Sequence, residues 1–162
     1  MNQRFEIGNK VVHPYHGAGT IVGIKREKFP EESKQYYIID LIAYDITLLI
    51  PVDSADEIGL RHACKATAVP HIMDILRASP DRLPDDYRER QALVKEKMEG
   101  GDAESMAEVV CALAWHRQEN KLTKVDARLY ERALTFLAGE LALIKGITLK
   151  EAKRRLRAEL PH

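Results

Sequence analysis

The chain has 162 residues, and its 25 basic and 25 acidic side chains cancel to a formal net charge of zero at pH 7. This length suits one compact domain or two small ones, and the charge balance excludes a strong long-range field toward nucleic acid or an anionic membrane. No signal-peptide core opens the sequence and no run of eighteen apolar residues occurs in it, so we expect a cytoplasmic protein without a membrane partner.

The first sixty residues predict a small β-domain. Four β-branched or aromatic runs, separated by turn-forming residues, favour four or five short strands, in residues 11–12, 19–24, 36–42 and 46–52. Strands this short, with no room for helices between them, are typical of a small barrel or a strongly bent sheet of the SH3 or Tudor kind. Pro51 favours an edge position for the fourth run.

From Thr67 onward the apolar pattern takes the period of a helix. Five amphipathic segments joined by short loops predict a helical bundle, with the acidic side chains on its solvated faces. The predicted fold class is therefore α+β with segregated halves. A small SH3/Tudor-like β-barrel is expected in residues 1–62 and a five-helix bundle in residues 63–162.

Several residues of the second half carry the signals of helix starts. Pro84 is well placed in a first helical turn. Thr123 with Asp126 resembles a capping box, in which a hydroxyl and a carboxylate satisfy each other's backbone N–H groups. Thr148 with Glu151 resembles the same motif more cleanly. These signals predict where the second, fourth and fifth helices of the bundle begin.

Residues 11–24 hold the most suggestive side chains for chemistry. His13 and His16 flank a turn and could bind a metal, while Gly17 and Gly19 resemble a phosphate loop. No third metal ligand lies nearby, and a strand follows the glycines where a phosphate loop needs a helix N-terminus. The favoured interpretation is a tight hairpin in which the glycines serve the turn and the packing.

The two cysteines, Cys64 and Cys111, fit no disulfide or zinc spacing and are expected to be free thiols. His62 and Cys64 could form a nucleophile pair, but side chains two positions apart tend to diverge. No hydrolase, zinc-protease or P-loop motif occurs. We expect no catalytic residue, metal, cofactor or small-molecule substrate. A His/Cys hydrolase or metal enzyme stays the alternative that a metal assay and a thiol titration would detect.

Binding is the remaining class of function. The stretch DRLPDDYRER places Arg82, Arg88 and Arg90 around the aromatic Tyr87. Basic runs interleaved with acidic residues are commonly solvated faces, and Tyr87 shares the helical phase of Val94, which on spacing alone places it in the core. A second basic group lies on the last predicted helix: Lys150, Lys153, Arg154, Arg155 and Arg157.

The β half carries a set of residues in a characteristic order: Val11-Val12, Pro14, His16-Gly17, Gly19, Ile50-Pro51 and Gly59-Leu60-Arg61. With the helices that follow, this order resembles the CarD/CdnL family of bacterial transcription factors. The resemblance covers nearly the whole chain, and the helical half shares it through residues 107–110 and 139–143. The motif in residues 11–19 alone is shared with the polymerase-binding module of transcription-repair coupling factors.

The resemblance implies a Tudor-like domain that docks on the β subunit of RNA polymerase. It also implies a helical domain that lies against promoter DNA at the upstream edge of the transcription bubble, where the family wedges a tryptophan into the minor groove. Tyr87 stands at that position here, followed by Arg88 and Arg90 with Glu89 between them. The implied protein is a monomeric, non-enzymatic regulator that stabilises the open complex through weak, non-specific DNA contact.

The implied polymerase-binding surface is the edge strand formed by Thr47, Leu48, Leu49, Ile50 and Pro51. We expect this edge to pair with a strand of the β subunit. Family members often carry arginine where Leu49 stands. Trp115 is expected in the core of the bundle, and Tyr87 can be either a wedge or a core residue. The alternative function is a protein-binding adaptor with no DNA role, which salt-dependent binding to forked DNA would distinguish.

Overall fold

One antiparallel sheet occupies the first part of the chain in a computed structural model, which describes residues 4–161. Its strands are β1 (Lys10–His13), β2 (Gly17–Lys28), β3 (Ser33–Leu41), β4 (Thr47–Pro51) and β5 (Arg61–His62). They lie in the order β4-β3-β2-β1-β5, so β4 and β5 form the two edges. The predicted β-domain and the edge position of its fourth strand are confirmed.

The sheet is irregular at β2. The register of β2 with β3 shifts between Ile21 and Gly23, and a bulge of this kind bends a strand and increases its twist. Gly19 is required for close approach, because a Cβ there would lie 2.7 Å from the carbonyl oxygen of Asp40. No helix was predicted in this half, yet the four-residue α1 (Ala55–Ile58) follows β4. The first core comprises Phe5, Val11, Ile21, Tyr37, Ile39, Leu41, Ile50, Ala55 and Leu60.

The five helices predicted after residue 67 are present. They are α2 (Val69–Arg77), α3 (Tyr87–Glu99), α4 (Ala103–Glu119), α5 (Lys124–Lys145) and α6 (Leu149–Ala158). Their apolar faces meet in a second, larger core, so the segregated α+β class is confirmed. Among the described residues, none of the helices combines the length and apolar character that crossing a membrane requires.

The two predicted capping boxes differ in the structure. At α5 the Thr123 hydroxyl accepts from the backbone N–H of Asp126 at 3.1 Å, and the Asp126 carboxylate accepts from that of Thr123 at 2.9 Å. At α6 the Thr148 hydroxyl accepts from Glu151, but the Glu151 carboxylate binds Arg154 at 2.6 Å. The box expected to be cleaner is therefore only half formed, because a nearby cation takes the carboxylate.

Helix α3 begins later than Pro84 predicted. The carboxylate of Asp86 accepts hydrogen bonds from the backbone N–H groups of Arg88 at 2.9 Å and Glu89 at 3.2 Å, which caps the helix. Tyr87 is consequently the first helical residue. The segment before Tyr87 is not helical. Helical spacing counted from a residue in that segment therefore does not predict which residues of α3 are buried.

The two halves share packing and an ion pair. Val12 and Ala18 of the sheet belong to the same core as the helices. Arg61 of β5 donates two hydrogen bonds of 2.8 Å to the two carboxylate oxygens of Glu140 on α5, and two more to the carbonyl oxygen of Gly101 at 2.7 and 3.1 Å. The sheet is therefore fixed against the helices, and the predicted domain boundary remains a prediction.

Two carboxylates contradict the expectation that acidic side chains stay on solvated helix faces. Asp126 is fully buried and Glu140 is 1% exposed. Each is paired with an arginine: Arg90 lies 2.7 Å from Asp126, and Arg61 lies 2.8 Å from Glu140. Buried charges persist only when they are paired and hydrogen-bonded, so both pairs are structural elements of the core.

Candidate functional site

The side chain of His13 closes the turn of the opening hairpin. The Nδ1 atom of His13 accepts hydrogen bonds from the backbone N–H groups of Tyr15 at 3.0 Å and His16 at 3.1 Å. Burial, and then the proximity of His16, lower the pKa of His13, so its ring is neutral at pH 7. No cluster of three or more metal-ligating side chains occurs within residues 4–161. The favoured turn interpretation accounts for the His13 side chain, and the His16 ring packs against the rings of His13 and Tyr15.

The surroundings of the two thiols, Cys64 and Cys111, favour their protonated form. Burial and the neighbouring Glu140 carboxylate raise the pKa of Cys64 to about 11, which disfavours the reactive thiolate. Burial also raises the pKa of Cys111, whose thiol donates to the carbonyl oxygen of Ala78 at 3.4 Å. The His62 ring packs against the Phe5 ring at 4.7 Å. His62 and Cys64, which could have formed a nucleophile pair, therefore contact different residues: Phe5 and Glu140, respectively.

Tyr87 lies on the surface at the start of α3. Its side chain is 53% exposed, so the core position predicted from spacing is wrong. The guanidinium carbon of Arg88 lies 5.5 Å from the centroid of the Tyr87 ring, within the range of a cation–π contact. Arg88 is itself exposed and only loosely paired with Asp86, at 3.7 Å. An aromatic ring and a cation are thus presented together to solvent.

Arg90 does not belong to this surface, which corrects the sequence prediction. It is 3% exposed, and it donates to the two carboxylate oxygens of Asp126 at 2.7 and 3.1 Å. It also donates to the carbonyl oxygens of Pro84 and Asp85. Burial alone would raise the pKa of Asp126, but hydrogen bonds from Arg90 and neighbouring groups lower it to about 2. Arg90 is therefore unavailable to a phosphate group.

Trp115, predicted in the core, is 40% exposed. It forms one wall of a depression between α4 and the segment that precedes α3. Arg82 spans this end of the bundle, with ion pairs to Asp85 at 3.2 Å and Glu119 at 3.3 Å. The carboxylates around Trp115 make its surroundings less suited to a polyanion than those of Arg88.

Helix α5 carries a row of three cations that was not predicted from the sequence. Lys124, Arg128 and Arg132 are all exposed, and spacing by four residues aligns them along one helix face at intervals of about 6 Å. Within the part of the chain that the structure describes, none of the three forms an ion pair. Glu131, their acidic neighbour, pairs with Arg157 of α6 at 3.6 Å. The repeat of four was the signal in the sequence that could have found them.

The basic group on α6 is largely neutralised. Arg154 and Arg155 both bind the Glu151 carboxylate, at 2.6 and 3.2 Å, and Arg157 binds Glu131. The α5 row therefore offers more uncompensated positive charge than the longer basic run on α6. The arginines of α6 therefore lie on a solvent-exposed face where acidic side chains pair with them.

The edge strand β4 presents a mixed surface. Thr47 and Leu49 are exposed, while Leu48 and Pro51 are half-buried. Ile50 is 7% exposed and belongs to the first core, so its side chain supports the strand from inside. In the described residues β4 pairs only with β3, which leaves its other edge open to a partner strand.

A β module whose strand β4 has an open edge is fixed to a helical module with an aromatic and basic surface, an arrangement suited to a protein that binds two different partners. Residues 5–63 match the family model described as CarD-like/TRCF RID domain, and residues 71–157 match the model of the CarD C-terminal domain. The chain therefore belongs to the CarD-like family, and it acts in transcription regulation. An RID is an RNA polymerase-interacting domain, so polymerase is the partner of this type of module.

A likeness over nearly the full length is also found with a protein of Bacillus subtilis. The chain is 35% identical over 150 residues to the "Putative transcription factor YdeB" of Bacillus subtilis (strain 168). The alignment covers 92% of this chain and 97% of that protein. The resemblance stated from the sequence is confirmed.

Proposed function

We propose that the protein binds the β subunit of RNA polymerase through β4 and stabilises the promoter open complex through its helical half. The observation that carries this proposal is the exposure of Tyr87, at the first position of α3, with Arg88 beside its ring. That surface is joined through one shared core to a sheet whose edge is open. A factor held by polymerase at one end can therefore hold its aromatic end in a fixed place.

The polymerase contact uses the backbone and exposed side chains of β4. An open strand edge accepts a partner strand through main-chain hydrogen bonds, and alternate side chains then supply specificity. Leu49 is 45% exposed and lies opposite Ile38 of β3, which gives this edge an apolar centre. Thr47 flanks it as a polar group, and Pro51 ends the strand.

The proposed DNA contact has two parts: an aromatic side chain that inserts at a base step, and cations that bind phosphates. An aromatic side chain inserted at a base step costs a few kcal/mol of unstacking, which is recovered where the duplex is already opening. The exposure of Tyr87 supports that role. Phosphate contacts would come from Arg88, which is only loosely paired with Asp86, and from the α5 row, Arg128 and Arg132 included, in which the described residues supply no carboxylate partner.

The zero net charge is compatible with this function. Strong attraction to DNA is unnecessary when polymerase already holds the factor beside the promoter, because tethering raises the effective concentration of a weak contact. Polymerase also supplies the sequence recognition. The factor then needs to touch only phosphates and the opened base step.

We expect Leu49→Asp to weaken polymerase binding by about tenfold, since a charge would enter the apolar centre of the docking edge. Affinity of the full chain for polymerase core, measured by surface plasmon resonance, checks this. Ile7→Asp is the matched control, because Ile7 is 62% exposed and lies in a turn outside the sheet. Equal losses in the two variants, or none in either, would contradict docking through β4.

We expect Tyr87→Ala to shorten the half-life of the polymerase open complex by about fivefold or more, as loss of one base–aromatic contact costs about 1–3 kcal/mol. Melting temperature should hardly change, because the side chain is mostly exposed. Leu93→Ala on the same helix, 37% exposed, is the control for truncation. An unchanged half-life with polymerase binding intact would favour the adaptor function without a DNA role.

A further inference from the structure

A cleft of about 520 Å³ lies where the opening hairpin meets the helices. Its walls come from both halves, with His13 and Tyr15 on the sheet side and Lys95 and Arg132 on the helical side. Of these residues, the proposed function uses only Arg132, as a phosphate contact of the α5 row. The remaining lining residues are Pro14, Ile58, Met98 and Glu99.

Tyr15 is the most exposed aromatic side chain on this surface, at 63%. The guanidinium carbon of Arg132 lies 4.5 Å from the centroid of its ring, and the His16 ring meets it edge-on at 5.0 Å. These contacts hold the ring in place while most of it remains open to solvent. A ring fixed in this way stacks on a planar ligand with little loss of conformational entropy.

Positive charge is concentrated beside the ring. Lys95 and Arg132 face the same cleft, and along the described residues neither forms an ion pair. Glu99 is the one carboxylate in the lining. Arg132 is also the last cation of the α5 row, so Lys124 and Arg128 lead toward the cleft along one helix face.

We propose that this junction cleft binds one nucleotide unit of an unpaired strand. Tyr15 stacks on the base, and Arg132 and Lys95 bind the phosphate. The pairing of a fixed aromatic ring with adjacent cations is how proteins hold unpaired nucleotides without reading their sequence. The inference deepens the proposed DNA contact, on which it rests, by giving the strand a path from the α5 row to the sheet.

The same chemistry would accept a free nucleotide, which also offers a planar base and a phosphate. A strand is favoured because the cations continue beyond the cleft along α5, where a single nucleotide would have nothing to bind. The two sources differ in length dependence. Competition by a mononucleotide therefore separates them.

The test uses the full chain and a fluorescein-labelled single-stranded hexathymidylate, with binding followed by fluorescence anisotropy at low salt. We expect saturable binding, which Tyr15→Ala weakens by about 5- to 100-fold, the range that loss of one base–aromatic stack produces. Arg132→Gln should weaken binding and flatten its dependence on salt, as expected when one phosphate contact is lost. Thymidine monophosphate that competes at low millimolar concentration would identify a free nucleotide as a second natural source.

Two control variants, each expected to bind as the unaltered chain does, test whether a loss of binding is specific to residues of the cleft. Phe29→Ala removes a 45% exposed aromatic ring at the distant hairpin end, and Lys150→Gln removes an exposed charge from α6. Binding unchanged within twofold in both Tyr15→Ala and Arg132→Gln, or absent in the unaltered chain, would overturn the proposal. A loss seen only with Tyr87→Ala would overturn it too, while leaving the proposed wedge in place.

Discussion

Replacing Arg90 by methionine should lower the free energy of unfolding by about 3–5 kcal/mol, the usual cost of removing one partner from a buried ion pair. Arg90 and Asp126 are 4% and 0% exposed at their side chains and lie 2.7 Å apart. Methionine fills much of the volume but leaves the Asp126 carboxylate without its guanidinium. It also leaves the carbonyl oxygens of Pro84 and Asp85 without their donor.

Urea unfolding at pH 7 measures the effect, with Arg88→Met as the matched control. Arg88 lies two residues earlier on the same helix but is mostly exposed, so its replacement should change stability by no more than about 0.5 kcal/mol. A loss below 1 kcal/mol for Arg90→Met would show that the Arg90–Asp126 pair is not required to hold α3 against α5.

The pH dependence of this loss has a definite sign. The pKa of Asp126 is lowered from 3.8 to about 2 in the folded chain. Its ionised form therefore stabilises the fold fully above about pH 4, and this contribution disappears as the pH falls from 4 toward 2. In Arg90→Met the carboxylate keeps its burial but loses the cation, so the folded pKa of Asp126 should rise toward its unfolded value and acid should remove less stability through this group.

The same variant separates a structural role from a DNA role. If Arg90 acts only within the core, folded Arg90→Met at low temperature should bind hexathymidylate as the unaltered chain does. Arg88→Met should show the opposite behaviour, with stability kept and DNA affinity reduced. Arg88 and Arg90, which are separated by one residue and look alike in the sequence, are thus expected to have separable effects.

The features that local patterns determine could be predicted from the sequence. Apolar period gave the five helices, β-branched runs gave the strands, and Pro51 indicated the edge strand. The Thr123 and Asp126 side chains form their capping box within four residues of each other, so no distant contact decides it. The motif that carries the resemblance lies in the hairpin, where the His13 side chain and the glycines set the turn.

The features that depend on distant partners could not be predicted in this way. The buried face of α3 runs through Arg90, Val94 and Met98, with an arginine in a core position. The apolar spacing in the sequence therefore predicted a buried position for Tyr87 instead of for Arg90. Arg90 is tolerated there because Asp126, 36 positions later, neutralises it, and nothing near Arg90 in the chain reveals that pairing.

The junction between the halves shows the same limit. Arg61 and Glu140 are 79 positions apart, and each resembles an ordinary surface charge in its own segment. The cleft beside Tyr15 exists only because the halves are held at one angle. The order of the modules could therefore be predicted from the sequence, but not their contact or the site it creates.

Glu140→Gln should lower the free energy of unfolding by about 3–5 kcal/mol at pH 7. The Glu140 carboxylate accepts two hydrogen bonds of 2.8 Å from Arg61 and one of 2.7 Å from the backbone N–H of Cys64. Glutamine removes the charge and turns a donor toward these donors, which leaves at least one of them unsatisfied. The matched control is Glu131→Gln on the same helix, whose exposed pair with Arg157 contributes little.

Acid should narrow the difference between Glu140→Gln and the unaltered chain. Burial alone would raise the pKa of Glu140, but the hydrogen bonds and charge of Arg61 outweigh it, and the pKa lies below its ordinary value of 4.5. The carboxylate therefore stabilises the fold above that value and loses this contribution as the pH falls through its folded pKa. Urea midpoints at pH 7 and pH 3, followed by the emission of Trp115 and by circular dichroism, measure this. A gap between variants that stays constant with pH would show that the loss comes from packing rather than from the charge that joins the two halves.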